Sequence, residues 1–262
     1  MKTNKLALTI IKIGGNIIDD PISLAKVLND FSKIEGPKLL VHGGGKEASR
    51  IAEKLGLKPE MIDGRRITDN AMLDVVVMTY AGLLNKKITA QLIALQNLAI
   101  GLSGVDGNLI LSKKKDNIVT DFGFVGDVIS VNSDLLFKLI EQNMVPVFCA
   151  ITHDGEGQLL NTNADTIASE LAISLSKYYN VKLIYCFEKQ GVLANTEDEN
   201  SVILNINRSD YKDLLEKGAI HSGMIPKLDN CFYALSKGVQ NIIIGHHSVI
   251  TKQDSIYTTI SL

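Results

Sequence analysis

Short, nearly all-apolar runs alternate with longer amphipathic stretches along the chain. The apolar runs are predicted to be strands, and they cover Leu6–Ile13, Leu39–His42, Leu98–Leu102, Val145–Ile151, Leu183–Phe187 and Ile242–Ile244. Strands of a parallel sheet have this composition because both of their faces are buried. The alternation therefore predicts an α/β fold in which helices pack on both faces of a mainly parallel sheet.

Helices are predicted between the strands wherever start and stop signals frame an amphipathic stretch. Asp20 can cap a helix that begins at Pro21, and Gly218 follows the end of another helix. The longest stretch, Asp69–Asn97, carries apolar residues on more than one face. It is therefore predicted to lie in the core or at an interface between subunits.

Composition and charge argue against several classes of protein. The 262 residues carry a net charge of -2 with lysine and arginine spread along the chain, so nothing indicates nucleic-acid binding. Three widely spaced cysteines indicate buried thiols in a reducing compartment. No signal peptide and no membrane-spanning run are recognised. A cytoplasmic protein without membrane contact is expected.

The first candidate for chemistry is the segment TIIKIGG, which ends a predicted strand. Gly14 and Gly15 let the backbone turn sharply and present N–H groups to an anion. Lys12 lies two residues before this turn, at the carboxyl end of the strand, where open α/β sheets bind ligands. A surface lysine beside an ordinary strand–helix turn explains the segment equally well.

A second glycine turn, in the segment VHGGGKEAS, has the same design. Free N–H groups at a helix N-terminus favour a phosphate or a carboxylate. Glu47 follows the lysine, so the segment is not a Walker A loop. A dinucleotide-binding pattern is met only formally by Gly43, Gly45 and Ala48, with Asp63 as its acidic residue. The third interpretation makes the two glycine turns two walls of one anion site.

Polar residues later in the chain could complete such a site. Asn161, Asn163 and Asp165 lie in NTNAD at the start of an amphipathic helix, and Lys227 lies near the start of another. Helix capping explains the asparagines and the aspartate without any ligand. In the functional interpretation, the asparagines bind a small polar substrate and Asp165 holds lysines in place.

Two further groups of residues give weaker signals. Arg65 and Arg66 are adjacent near a helix start, which suits a carboxylate, although exposed arginine pairs are common. His42 ends a strand and His246–His247 form a loop pair, without the spacing of a metal site. Metal ligation by protein side chains is therefore not expected.

Seven short motifs follow one another along the chain. They are Lys12–Gly15, Val41–Gly45, Gly64–Asp69, Gly101–Gly107, Gly123–Asn132, Asn161–Asp165 and Gly223–Lys227. In this order they resemble the amino acid kinase family, in the branch whose members phosphorylate N-acetyl-L-glutamate. The resemblance implies a three-layer αβα sandwich around a mainly parallel sheet. It also implies transfer of the ATP γ-phosphoryl group to the side-chain carboxylate of the substrate, a step of arginine biosynthesis.

The resemblance implies roles for individual residues as well. Lys12 and Lys227 would contact the transferred phosphoryl group, and Asp165 would orient both lysines. The other predicted site residues are Gly14, Gly15 and Gly191 for the phosphoryl group and ATP, and Gly44, Gly45, Arg66, Asn161 and Asn163 for the acyl-glutamate. Lys46 is predicted to take no part.

Organisation and partners follow from the same resemblance. A single domain, 1–262, would have a lobe for acyl-glutamate binding and dimerisation, 1–180, and an ATP-binding lobe, 181–262. Mg²⁺ would be bound mainly through the ATP phosphates. The chain begins eleven residues before Lys12, without the N-terminal helix that builds hexamers in arginine-inhibited members of the family. An arginine-insensitive homodimer, paired through Asp69–Asn97, is expected.

Two departures from the family pattern leave alternatives open. Arg65 stands where the family usually has a small apolar residue, so it could bind a second carboxylate, as in N-succinyl-L-glutamate, or be a surface arginine. The segment YCFEKQGVL lacks the usual Ser/Thr-Asp turn, so the ATP contacts around Phe187–Gly191 stay open, with Glu188 and Lys189 as candidates. Another amino acid kinase, a non-catalytic regulatory binder and a Rossmann dehydrogenase are the competing functions.

Overall fold

The computed structural model describes residues 5–62, 64–116, 120–195, 197–218, 220, 224–251 and 254–262. Asp63 and Gly223, which belong to predicted motifs, lie outside these ranges. The strands are β1 (Ala7–Ile13), β2 (Lys38–His42), β3 (Met61–Ile62), β4 (Arg65–Arg66), β5 (Ala99–Leu102), β6 (Ile110–Lys114), β7 (Val125–Val131), β8 (Val145–Phe148), β9 (Ile151–His153), β10 (Leu159–Thr162), β11 (Asn180–Cys186), β12 (Asn205–Ile206), β13 (Asn241–Gly245) and β14 (Thr258–Ile260). The helices are α1 (Gly15–Asp19), α2 (Pro21–Ser32), α3 (Gly45–Lys54), α4 (Asn70–Val77), α5 (Asn85–Ala94), α6 (Ser133–Glu141), α7 (Ala164–Leu175), α8 (Arg208–Glu216) and α9 (Ile225–Ser236). A π-helical segment, Met78–Leu84, joins α4 to α5.

Within the described residues, eight strands form one sheet in the order β12-β14-β13-β11-β1-β2-β8-β5. Its neighbouring strands are parallel except β13 and β14. The predicted strands are found in this sheet, with one correction. The apolar run predicted as a single strand over Val145–Ile151 is divided, because β8 ends at Phe148 and β9 begins at Ile151 in a different sheet.

Helices cover both faces of the large sheet. Alternate residues of β1 point to opposite faces, as strand geometry requires. Leu8 and Ile10 belong to a core that includes residues of α3, α4, α6, α7, α8 and α9. Ile11 and Ile13 belong to a second core with residues of α1, α2 and α5. The prediction of a three-layer αβα sandwich with a mainly parallel sheet is confirmed.

A small closed barrel of β10, β7, β6 and β9 stands beside the sheet. The sequence pattern does not predict it, because β6 (ILSKK) and β7 (VGDVISV) mix polar and apolar residues without a regular period. β10 ends at Thr162 and α7 begins at Ala164, so the barrel leads directly into the start of α7.

The long helical stretch predicted over Asp69–Asn97 is found as α4, the π-helical segment and α5. Asp69 caps it by accepting a hydrogen bond from the backbone N–H of Met72 at 2.8 Å. The signals at the other helices are also confirmed: Asp20 caps α2, and Gly218 adopts a φ of 61° after α8. The stretch is therefore helical from Asn70 to Ala94, with a π-helical segment in its centre.

Strands from both halves of the chain share the large sheet. β11 pairs with β1 in parallel, with Asn180 opposite Ala7. The sheet is therefore continuous across the predicted boundary at residue 180, and the division into two lobes stays a prediction.

Two observations bear on the expected class of protein. Cys149, Cys186 and Cys231 are buried and unpaired, as predicted, while the cytoplasmic location stays a prediction. Among the described residues, no helix combines the length and the hydrophobicity of a membrane span.

Candidate active site

The two predicted glycine turns lie side by side at the carboxyl ends of the central strands. β1 and β2 are parallel neighbours, with Ile13 opposite His42. Each strand then passes through glycine into a helix, which begins at Gly15 for α1 and at Gly45 for α3. Because the first N–H groups of a helix have no partner within it, both turns can offer donors at the same end of the sheet.

Lys12, Asp165 and Lys227 form a charged triad beside these turns. Lys12 Nζ lies 2.7 Å from Asp165 Oδ1, and Lys227 Nζ lies 2.8 Å from Asp165 Oδ2. The side chains come from β1, from the first turn of α7 and from the first turn of α9, and they are only 12 to 18% exposed. One carboxylate therefore holds two lysines, although the three residues are far apart in the sequence.

Neighbouring groups hold Asp165 and Lys227 in position. Asn163 caps α7, and its Oδ1 accepts the N–H of Asp165 at 2.8 Å. The hydroxyl of Tyr185 donates to the carbonyl oxygen of Asp165 at 3.2 Å. The ring of Tyr185 also lies under the Lys227 ammonium, 4.8 Å from Nζ to the ring centroid. Tyr185 is absent from the predicted site, because within the apolar strand it cannot be distinguished from a core residue.

Burial and charge act in opposite directions on the ionisation of the triad. Burial alone would raise the pKa of Asp165, but the neighbouring ammonium groups of Lys12 and Lys227 outweigh it and hold that pKa well below its ordinary value. Burial lowers the pKa of Lys12 from its ordinary 10.5, and Asp165 opposes that shift. Asp165 is therefore a carboxylate at neutral pH, and with both lysines protonated the triad carries one positive charge in excess.

Gly44 sits where no other residue would fit. Its φ is 146°, a backbone conformation that residues with side chains rarely adopt. A Cβ at this position would lie 2.3 Å from Leu84 Cδ1 and 3.2 Å from Tyr80 Cδ1. The glycine turn therefore packs directly against the π-helical segment.

Arg66 anchors the same turn from another side. The residue is 5% exposed, and its Nη2 donates to Gly45 O at 2.7 Å and to Ser49 Oγ at 2.8 Å. Among the described residues, its buried Nε has no acceptor. A buried guanidinium with an unused donor suits an anionic ligand, because leaving such a donor unpaired is costly.

A cleft opens beside this turn, and it contains all five residues predicted for the acyl-glutamate. Its lining is Gly43, Gly44, Gly45, Met61, Gly64, Arg65, Arg66, Tyr80, Val125, Ala150, Asn161, Thr162, Asn163 and Ala164. Asn161 is held in the wall by its Nδ2, which donates to Thr68 Oγ1 at 3.0 Å. Tyr80 is a lining residue that the sequence does not single out, since it lies inside a long apolar helix.

Arg65 lies at the rim of the cleft in a small charged cluster. Its Nη1 is 3.8 Å from Asp127 Oδ1, and Lys115 Nζ is 3.0 Å from Asp127 Oδ2. A third of the Arg65 side chain is exposed. Its guanidinium is thus partly neutralised by Asp127 and is still accessible from the cleft.

A second cavity lies at the carboxyl ends of β11 and β13. It is lined by Glu188, Lys189, Gln190, Glu199, His246 and Ser248. Glu188 also borders the space next to Gly15 and Lys46, where Asn16 hydrogen-bonds both Glu188 and Lys46. Glu188 therefore borders both this cavity and the space beside the glycine turns, and that space shares Gly45, Met61 and Arg66 with the first cleft.

Two of the glycines predicted for ATP have structural roles. A Cβ at Gly191 would lie 2.5 Å from Val202 Cγ1 and 2.6 Å from Thr258 Oγ1, so this glycine permits close packing. The N–H of Gly14 donates to Cys186 O at 3.2 Å, which ties the first turn to β11. Contact of Gly14, Gly15 and Gly191 with ATP stays a prediction.

Comparison with known sequences gives a consistent family. The amino acid kinase family model matches residues 7–246. Acetylglutamate kinase of Parabacteroides distasonis is 51% identical over 93% of this chain and 95% of its own length. Acetylglutamate kinase of Methanopyrus kandleri is 37% identical over 90% of this chain and 93% of its own length.

Solved structures share the fold at lower identity. N-acetylglutamate synthase from Neisseria gonorrhoeae, complexed with coenzyme A and N-acetyl-glutamate, gives a TM-score of 0.81 at 19% identity, over 97% of this chain and 59% of that one. Carbamate kinase from Giardia lamblia bound to AMP-PNP gives a TM-score of 0.68 at 17% identity, over 99% of each chain. The family model matches most of the chain and the identity to its relatives is high, so the chain belongs to the amino acid kinase family.

Proposed function

We propose that this protein transfers the γ-phosphoryl group of ATP to the side-chain carboxylate of N-acetyl-L-glutamate, in arginine biosynthesis. The observation that carries the proposal is the Lys12–Asp165–Lys227 triad beside two glycine turns. Phosphoryl transfer to a carboxylate brings several anionic groups together, so it needs concentrated positive charge and N–H donors. Identity of about half with acetylglutamate kinases supports the choice of acceptor.

The reaction needs no general base. A carboxylate with the ordinary pKa of about 4 is ionised at neutral pH. One of its oxygens attacks the γ-phosphorus, the bond to the bridging oxygen breaks, and ADP leaves with that electron pair. Catalysis then rests on alignment of the reacting groups and on neutralisation of the charge on the transferred group. Lys12, Lys227 and the glycine N–H groups provide both.

The first cleft would hold the acyl-glutamate. The unpaired Nε of Arg66 offers a donor to the α-carboxylate, and Asn161 lies in the same cleft. Gly45 borders both this cleft and the space next to Gly15. The side-chain carboxylate would therefore meet the phosphoryl group at Gly44 and Gly45, where the two glycine turns approach each other.

ATP would lie over the carboxyl ends of β11 and β13, near Glu188 and Lys189. Mg²⁺ would arrive on the ATP phosphates and shield their charge. The described residues contain no group of three or more His, Cys, Asp or Glu side chains that could hold a metal ion. Both oxygens of Asp165 face lysines. Because Asp165 is engaged by Lys12 and Lys227, the ATP phosphates would supply the ligands of Mg²⁺.

Trapping of the acyl phosphate with hydroxylamine tests the proposal. With ATP and Mg²⁺, N-acetyl-L-glutamate is expected to give the hydroxamate, whereas L-glutamate and L-aspartate, which lack the acyl group, are expected to give little. ADP release provides an independent measurement. A protein that binds nucleotide but forms no hydroxamate with any acceptor would instead be a regulatory binder.

A second candidate acceptor is N-succinyl-L-glutamate, and the position of Arg65 in the cleft favours testing it. Arg65→Ala is expected to change kcat/KM for N-acetyl-L-glutamate by less than about threefold, because an acetyl group offers the guanidinium no charge. For N-succinyl-L-glutamate the same substitution is expected to lower kcat/KM about tenfold or more, through loss of a charge-assisted hydrogen bond. In the unsubstituted protein, the ratio of kcat/KM for N-acetyl-L-glutamate to kcat/KM for N-succinyl-L-glutamate identifies the preferred acceptor. Equal losses for both substrates would contradict this role of Arg65.

We further propose a homodimer. Ile93 and Leu98, at the end of α5 and before β5, are 54% and 60% exposed. β5 is also an edge strand of the large sheet. Exposed apolar residues beside an open strand edge are typical of a subunit interface.

Substitution in this surface tests the homodimer. Leu98→Lys is expected to convert the dimer to a monomer in sedimentation, because a buried unpaired lysine is unfavourable at an interface. Leu204→Lys, at an equally exposed leucine elsewhere, is the matched control and should stay dimeric. A hexamer, or a dimer that tolerates Leu98→Lys, would contradict the proposed interface.

A further inference from the structure

The carbonyl groups of the second glycine turn each have a defined partner. Gly44 O accepts the N–H of Ala48 at 3.0 Å, and Gly45 O accepts from Arg66 Nη2 at 2.7 Å. Gly43 O accepts from His42 Nδ1 at 2.8 Å. Because a peptide unit is planar, fixing the carbonyl of Gly43 also fixes the direction of the Gly44 N–H. His42 therefore sets the orientation of an N–H group assigned to the reacting anions.

The contacts of His42 determine which of its nitrogens carries the proton. A carbonyl oxygen only accepts, so Nδ1 must be protonated to bind Gly43 O. The ring is fully buried, and burial lowers its pKa to about 4. Nε2 is then an acceptor, and Asn85 Nδ2 lies 3.1 Å from it as the donor.

The amide of Asn85 is oriented by its other contacts. Its Nδ2 also donates to Val147 O on β8 at 2.8 Å. Its Oδ1 accepts from Lys86 Nζ at 3.3 Å. Acceptors thus face the NH₂ group of Asn85 and a donor faces its oxygen. These contacts orient the amide with its NH₂ group toward Nε2 of His42. Gly101 makes room for this amide, since a Cβ there would lie 2.1 Å from Asn85 Oδ1.

Asn85 directly follows the π-helical segment, which packs against the second glycine turn. Tyr80 and Leu84 of that segment pack against Gly44, and Asn85 is the next residue. π-Helical turns are rare and often occur at functional sites. One stretch of the long helix therefore supports the glycine turn by packing and, through Asn85 and His42, by hydrogen bonding.

We propose that His42 and Asn85 are positioning residues for the phosphoryl-transfer site, where Asn85 orients the ring of His42 and His42 orients the peptide between Gly43 and Gly44. Neither side chain contacts the substrates in this scheme. Their effect reaches the reaction through the direction of the Gly44 N–H. The inference rests on the proposed function, since that N–H acts on the acyl-glutamate or the phosphoryl group.

Two substitutions of His42 separate its two hydrogen bonds. His42→Asn keeps a donor at the δ position for Gly43 O, whereas His42→Gln keeps only a group at the ε position for Asn85. His42→Asn is expected to retain kcat within about threefold. His42→Gln is expected to lose about tenfold or more in kcat with less than a threefold change in KM for the acyl-glutamate, as for a misdirected transition-state donor. Thermal unfolding should show similar destabilisation of both variants, because each leaves part of the ring space empty.

A matched pair of asparagine substitutions covers the case in which the His42 variants do not fold. Asn85→Ala is expected to lower kcat about fivefold, because it leaves the His42 ring without its orienting donor. Asn97→Ala is the control, since Asn97 is another buried asparagine at the end of the same helical stretch, where it donates to Leu92 O and Leu95 O. That variant should lose stability and keep its kcat.

The outcomes distinguish this inference from the proposed function. If the unsubstituted protein forms no acyl phosphate, the proposed function fails. If it is active, but His42→Asn and His42→Gln lose kcat equally or keep it equally, the positioning role is wrong. Equal kcat in Asn85→Ala and Asn97→Ala would likewise overturn it.

Discussion

Lys12→Ala and Lys227→Ala are each expected to lower kcat by about 10²–10³-fold with only a modest change in KM. Each lysine is held within 2.8 Å of Asp165, and the triad has one positive charge in excess to offer to the transferred group. A donor that acts mainly on charge developing in the transition state contributes about this much to the rate. Initial rates at varied ATP and N-acetyl-L-glutamate measure the effect.

The matched control for these substitutions is Lys237→Ala. Lys237 lies at the other end of α9 from Lys227, at its C-cap, and is exposed. Its removal takes one positive charge from the same helix and is expected to leave kcat unchanged. Near-normal kcat in either triad variant would contradict the assigned role, and equal losses in all three variants would point to a general effect of charge.

The buried parallel strands were the part of the fold that the sequence predicted best. Runs such as Leu39–His42 are apolar at nearly every position, and only a strand covered on both faces requires this. The barrel strands lacked any such signal. Val145–Ile151 is an unbroken apolar run, so nothing in its sequence indicates that the chain leaves one sheet at Phe148 and enters another at Ile151.

The site was predictable as a set of motifs, but its geometry was not. Lys12, Asp165 and Lys227 are separated by at least sixty residues, and only folding brings them into contact. Two of the supporting residues, Tyr185 and Asn85, give no signal in the sequence. Tyr185 and Asn85 lie within a strand and a helix whose other residues are mostly apolar, so their polar contacts could be found only from the structure.

Asp165→Asn is expected to lower kcat by about 10²–10³-fold without raising KM for ATP. Asparagine has nearly the shape of aspartate, but it cannot neutralise two ammonium groups, so the lysines lose their common anchor and repel each other. The site gains one positive charge, which does not weaken binding of the nucleotide. A large loss in kcat without a rise in KM is the result expected for loss of alignment.

The control for Asp165→Asn is Asp134→Asn. Asp134 also lies in the first turn of a helix, α6, and also pairs with a lysine, 2.6 Å from Lys177 Nζ, but at the surface. Its substitution is expected to leave kcat unchanged. Both variants remove one carboxylate near a helix N-terminus, so a difference between them isolates the position of Asp165.

The contribution of Asp165 to stability should depend on pH. The pKa of this carboxylate is depressed in the folded protein, so its contribution to stability is present above its unfolded pKa of about 4 and is lost as pH falls through the lower folded pKa. The difference in unfolding free energy between the unsubstituted protein and Asp165→Asn should therefore be constant from neutral pH to about pH 4. It should narrow below that pH, as measured by denaturant unfolding.

The pH profile of the Asp165→Asn reaction should shift in a defined direction. Burial already lowers the pKa of Lys12, and Asp165 is the main group that opposes this. Without the carboxylate the pKa of Lys12 falls further, so Lys12 loses its proton at a lower pH and the alkaline limb of kcat/KM moves toward neutrality. An unchanged alkaline limb together with a retained kcat would show that the lysines act without Asp165, and the triad would then have no part in aligning the transferred group.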